Sequence, residues 1–158
     1  MLQGTEVRAP MARYGPGDPR ADQDDRNAGR PASTPSILVV DDDPAVLRLV
    51  ERVLRRVGAN VTTVGSGRAA LRAIADGASN PSLLLTAIDM PAMSGIELSA
   101  RVNALRPGVE IVMMTADLAS AAAARERPDL VGRVLLKPID VSELLAAAGM
   151  PQAEVESR

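Results

Sequence analysis

Four short polar stretches each follow an apolar run and carry side chains that could do chemistry together: Asp41-Asp42-Asp43, Ala87-Ile88-Asp89-Met90-Pro91, Thr115-Ala116 and Lys137-Pro138. Adjacent carboxylates with water suit a hard divalent cation, and Mg²⁺ commonly takes one or two carboxylates plus phosphate oxygens. A hydroxyl and an ammonium aimed at the same point would hold the remaining phosphate oxygens. The set describes an acidic, metal-assisted phosphoryl site. Lys137 is the one Lys among 18 basic residues. A compact ammonium suits a single phosphate oxygen, whereas the Arg used everywhere else forks onto carboxylates. Taken singly, each stretch has a plainer reading. Asp43 is a helix cap, Asp41 and Asp42 are turn residues, Thr115 is structural, and Lys137-Pro138 is a turn with an exposed charge. Their recurrence after four separate apolar runs is what points to chemistry.

Composition removes competing chemistries. The chain of 158 residues has no His and no Cys, and its one aromatic residue is Tyr14. That excludes a Ser-His-Asp triad, an imidazole base, a thiolate nucleophile and Cys-ligated metal centres. It also excludes aromatic platforms for single-stranded nucleic acid. No apolar run approaches the ~18 residues needed to span a bilayer. The opening Met1-Leu2-Gln3-Gly4-Thr5-Glu6-Val7-Arg8 lacks the apolar core of a secretory signal, so the expected location is cytoplasmic.

The elements that must position these residues are legible from periodicity. Residues 1–35 hold Pro10, Pro16, Pro19, Pro31 and Pro35, balanced charges and no apolar periodicity. They read as a disordered N-terminal tail. From Ser36 to Gly149, short apolar strands alternate with helical patterns. Strands are predicted at 37–40, 61–64, 83–86, 109–114 and 134–136. Helices are predicted to open at Asp43-Pro44, Ser66, Ser94, about residue 117 and Asp140. Residues 150–158 form a short C-terminal tail. Five such βα units imply a parallel sheet with helices on both faces, of the flavodoxin-like doubly wound kind with order 2-1-3-4-5 and five helices. Ligands bind such sheets at the carboxyl ends of the strands, where all four polar stretches fall.

Residues 36–149 resemble the receiver domain of bacterial two-component response regulators. The resemblance rests on Ile37-Leu38-Val39-Val40-Asp41-Asp42-Asp43, Asp89-Met90-Pro91-Ala92-Met93-Ser94-Gly95, Val112-Met113-Met114-Thr115-Ala116 and Leu136-Lys137-Pro138. It implies Mg²⁺ held by Asp41, Asp42 and the backbone carbonyl of Asp89. It also implies phosphoryl contacts from Thr115 and Lys137, and a cis bond at Lys137-Pro138. The expected partners are proteins: a histidine kinase, a phosphotransfer protein or a downstream target. The sequence departs from the family in two places. The position of the phosphoacceptor Asp, three residues before Met90-Pro91, is Ala87, which has no nucleophilic oxygen. The position of the family's aromatic switch residue is Val134. The implied function is that of a stand-alone receiver acting by protein–protein contact, as a pseudo-receiver or a phosphorylation-null variant, with Mg²⁺ binding weak or vestigial. Without a carboxylate at 87, Lys137 is left to pair with Asp41 or Asp42. In a wet pocket such a pair is worth about 0.2–1 kcal/mol.

An alternative of a different class is an aspartate-nucleophile, Mg²⁺-dependent phosphatase of the haloacid dehalogenase type, using Asp41 and Asp43. Pro44-Ala45, where that class has Gly-Thr, argues against it. Arg48, Arg52, Arg55 and Arg56 form a stripe on the first helix, read as a solvated face. The folded part balances its charges, so no field to grip nucleic acid is expected.

Overall fold

The computed structural model describes residues 34–152. The expected N-terminal tail up to residue 33, and the C-terminal tail from residue 153, lie outside the described residues. Within them five strands alternate with five helices. These are β1 (Ser36–Val40), α1 (Pro44–Arg56), β2 (Asn60–Val64), α2 (Gly67–Ala75), β3 (Leu83–Ala87), α3 (Gly95–Leu105), β4 (Glu110–Thr115), α4 (Leu118–Arg125), β5 (Arg133–Leu136) and α5 (Val141–Ala147). The strands form one parallel sheet in the order β2-β1-β3-β4-β5.

Because β1, β3 and β4 are buried on both faces, their sequences are continuous apolar runs rather than alternating ones. Alternation still sorts their side chains. Ile37, Val39, Leu83, Leu85, Val112, Met114 and Leu135 pack on one face with Val50 and Leu54 of α1 and Leu144 and Leu145 of α5. Leu38, Val40, Leu84, Ile111 and Met113 pack on the other with Ile74 of α2, Leu98 and Val102 of α3 and Ala124 of α4. A helix on either face is what right-handed crossovers on the two sides of the β1/β3 switch produce.

Each helix begins on a side-chain cap that satisfies backbone N–H groups left open by the helix start. Asp43 accepts from Ala45, Ser66 from Ala69, Ser94 from Glu97, Asp117 from Ala119 and Ser120, and Asp140 from Glu143. Each cap closes the loop that follows the carboxyl end of a strand, so the caps hold the loops that line the site. The arginine stripe of α1 lies on the exposed face. Arg55 there pairs with Glu51 at 2.8 Å.

Candidate functional site

The carboxyl edge of the sheet gathers Asp41, Ala87, Thr115 and Lys137, each at or just beyond the end of its strand. Strand alternation divides them. Asp41, Ala87 and Lys137 continue the side of Val39, Leu85 and Leu135, toward α1 and α5, while Thr115 continues that of Met113, toward α2, α3 and α4. The hydrogen bonds follow this division.

On the first side, Asp41 is fully buried and Lys137 donates from Nζ to Asp41 Oδ2 at 2.8 Å, its own side chain 24% exposed. The other carboxylate oxygen accepts the Asp43 N–H at 2.9 Å. The partner of Lys137 is therefore Asp41; Asp42 is exposed. Lys137 is brought there by the backbone bond from its N–H to the Thr115 carbonyl, at 2.8 Å, and precedes a cis peptide to Pro138. Ala87 is buried beside the pair's edge of the sheet and presents only a methyl group. Its neighbour Thr86 faces the opposite side and donates its hydroxyl to the Ala87 carbonyl at 2.9 Å. Gly95 packs against that carbonyl so closely that a Cβ there would overlap the oxygen, and would come within 3.0 Å of Ile88 Cα. The first turn of α3 is thus pressed onto the end of β3, fixed by the bond from Gly95 N–H to Ile88 carbonyl.

On the second side, Thr115 donates its hydroxyl to Asp89 Oδ2 at 2.7 Å and accepts the Asp117 N–H at 3.0 Å. Ser120 Oγ lies 2.8 Å from both Asp89 Oδ1 and Asp117 Oδ2. Asp117 is held below the usual carboxylate range, first by the Ser120 hydroxyl, then by the N–H groups of Ser120 and Ala119. Asp117 and Ser120 were not singled out from the sequence. Their spacing is that of a helix cap and its third residue, at the start of an Ala-rich segment, and this was the available signal.

Reading the strand ends in sequence suggests a hydroxyl and an ammonium converging on one point. Among the described residues no side-chain hydrogen bond joins the two groups: the ammonium is committed to Asp41 and the hydroxyl to Asp89. No group of three acidic residues placed to hold a metal ion occurs among the described residues. Asp43 is spent as the cap of α1. Nothing among the described residues supports the phosphatase alternative on Asp41 and Asp43.

Residues 37–149 match the response regulator receiver domain family. The chain belongs to the response regulator receiver domain family. It is 35% identical over 116 residues to the DNA-binding transcriptional regulator NtrC of Azospirillum brasilense, covering 72% of this chain and 23% of the relative. It is 34% identical over 110 residues to the DNA-binding response regulator MtrA of Mycolicibacterium smegmatis, covering 70% of this chain and 47% of that protein. The chain thus spans about a quarter of the length of NtrC-type relatives. Among solved structures it resembles the signal receiver domain of an HD domain-containing protein from Pseudomonas fluorescens, with 28% identity, a TM-score of 0.65, and coverage of 72% of this chain and 90% of that one. It also resembles the receiver domain of NtrX from Brucella abortus, with 26% identity, a TM-score of 0.64, and coverage of 77% and 99%. Receiver domains are signalling modules of two-component systems, and no described helix of this one is long and apolar enough to cross a membrane.

Proposed function

We propose that this receiver signals by protein–protein contact without being phosphorylated at residue 87. The observation that carries the reading is Ala87: a buried methyl group at the end of β3, on the same side of the sheet edge as the Asp41–Lys137 pair. This reading takes Ala87, three residues before Met90-Pro91, as the phosphoacceptor position that the family resemblance implies. A methyl group has no lone pair to attack phosphorus. Thr86 faces the other side with its hydroxyl donated to a carbonyl, and Asp89 accepts the Thr115 hydroxyl on one oxygen and lies against Ser120 Oγ with the other. Thr115 and Lys137 then hold the phosphoryl-contacting positions without a phosphoryl group to contact. The partners in this reading are proteins of a two-component pathway, a histidine kinase, a phosphotransfer protein or a downstream target, met in the cytoplasm.

The residues present fit a resident Mg²⁺ poorly. Asp41 gives one oxygen to the Lys137 ammonium and the other to a backbone N–H, and the Asp89 carboxylate is turned to Thr115 and Ser120. Mg²⁺ demands near-octahedral oxygen ligation. Asp41, Asp42 and the Asp89 carbonyl are what remains to hold it, and the proposed binding is weak and vestigial. No chemical step is assigned to it.

The test is intact-mass spectrometry after incubation with acetyl phosphate and Mg²⁺. The chain as it stands should carry no phosphoryl adduct, and Ala87→Asp should acquire one. An adduct on the unaltered chain would overturn the reading.

A further inference from the structure

The Asp89 carboxylate bridges two loops. It projects from the β3–α3 loop and meets two hydroxyls: Thr115 Oγ1, on the last residue of β4, donates to one oxygen at 2.7 Å, and Ser120 Oγ of α4, whose single proton is shared between Asp89 and Asp117, lies 2.8 Å from the other. The same two residues also hold Asp117, whose N–H donates to Thr115 Oγ1 and whose carboxylate lies beside Ser120 Oγ and accepts from the Ser120 N–H. The three residues that begin α4 are thereby tied at both ends to one anion on a neighbouring loop. Between the tied residues lies Leu118, which is 70% exposed, the most exposed large apolar side chain among the described residues. The backbone on either side of it is fixed by charge-assisted hydrogen bonds.

A threonine hydroxyl has one proton. In this structure that proton is given to Asp89, so Thr115 meets within the protein the negative oxygen that a phosphoryl group would otherwise bring to it. We infer that the Asp89 carboxylate is a built-in anion for Thr115, a clasp that fastens the first turn of α4 to the β3–α3 loop and holds Leu118 outward with no phosphoryl group bound. The inference rests on the phosphorylation-independent reading above and supplies its structural means: a first turn of α4 held in one position with no phosphoryl group bound. The clasp stands on four side chains, Asp89, Thr115, Asp117 and Ser120. The backbone bond from Ile88 N–H to the Met114 carbonyl, at 2.9 Å, already joins the base of the β3–α3 loop to β4, and Asp89 extends that tie to the first turn of α4.

The test is amide hydrogen exchange, read by NMR on the full chain, in Asp89→Ala and Ser120→Ala. Asp89 lies at the surface, so its truncation leaves the core untouched. Losing a hydrogen bond to a charged group should speed exchange at Asp117, Ser120 and Ala121 by about fivefold or more in Asp89→Ala. A smaller acceleration is expected in Ser120→Ala, which removes one arm. Asp89→Asn, which keeps an acceptor for Thr115, should restore part of the protection. The amides of Val112 and Met113 should be unchanged throughout. Exchange at Asp117 and Ser120 identical to that of the unaltered chain would overturn the clasp. So would acceleration by one common factor across α4 and β4, which would mean a global loss of stability. Phosphoryl labelling of the unaltered chain would instead overturn the reading on which the clasp depends, whatever the exchange shows.

Discussion

Replacing Lys137 by Met keeps the aliphatic length of the side chain and removes the ammonium. What remains is the Asp41 carboxylate, fully buried, with a single hydrogen bond from the Asp43 N–H in place of two strong partners. An exposed ion pair would lose about 0.2–1 kcal/mol. Breaking a fully buried pair costs about 3–5 kcal/mol because an uncompensated charge is left out of water. Here one partner is buried outright and the other retains 24% of its exposure, so water reaches the pair from one side only. The expected loss lies between the two regimes, about 2–3 kcal/mol, above the range that a wet pocket would give. At about 4 °C per kcal/mol for a domain of this size, the melting temperature should fall by about 8–12 °C. Thermal unfolding followed by circular dichroism measures it, with chemical denaturation as a check that the slope is unchanged. Adding Asp41→Asn to Lys137→Met removes the orphaned charge, so the double variant should be more stable than the sum of the single losses. Asp42→Asn, at an exposed position, should stay within about 0.5 kcal/mol of the parent. A loss below about 0.5 kcal/mol in Lys137→Met would refute the reasoning, since it would mean that Asp41 does not depend on Lys137 for its compensation.

Gly95→Ala should unfold the domain or cost at least about 3 kcal/mol in a urea melt, because the new methyl overlaps the rigid Ala87 carbonyl. Gly67→Ala should cost under about 1 kcal/mol in the same assay: its Cβ would meet the flexible end of Met93, at 2.7 Å from the sulfur, and that side chain can swing away. Ala92 is the one described non-glycine residue with positive φ, at 67°. Relieving a left-handed alanine should make Ala92→Gly more stable by up to about 1 kcal/mol by denaturation. Asp117, held low by Ser120 and the α4 amides, stabilises the fold when ionised. That contribution is complete above about pH 4 and is lost as pH falls through its lowered value, so the stability of Asp117→Asn should depend less on pH below about 4 than that of the parent. Titration calorimetry should give Mg²⁺ binding weaker than about 1 mM, tightening in Ala87→Asp, since a third carboxylate then reaches the same edge.

The alternation of apolar strands with capped helices was enough to specify the doubly wound sheet, because strands buried on both faces must be continuous apolar runs and the helices between them must show a 3.6-residue period. The helix caps at Asp43, Ser66, Ser94 and Asp140 were legible for the same local reason: a short polar side chain before a periodic segment meets N–H groups that nothing else can satisfy. The last strand residues were harder to place. Ala87 and Thr115 belong to β3 and β4 in the structure, beyond the predicted residues 83–86 and 109–114, because the pairing of Ala87 with Met114 and Thr115 with Leu136 is a property of neighbours and not of the segment itself.

The sequence by itself determined which chemical groups stand at the carboxyl edge. An alanine at 87 has no side-chain oxygen in any fold, and a lone lysine at 137 is the only ammonium side chain the chain offers. Only the tertiary structure decided how the remaining groups pair. Alternation along each strand and the register between strands put Lys137 over Asp41 and turned Thr115 toward the other side, where it met Asp89, Asp117 and Ser120. Those partners lie 96, 26 and 31 positions apart in the chain. Separations of that length leave no local pattern, since the contact is made by the packing of five strands and not by any segment's own propensity. The burial of Asp41 follows in the same way, for a carboxylate next to two others reads as solvated until the sheet closes over it.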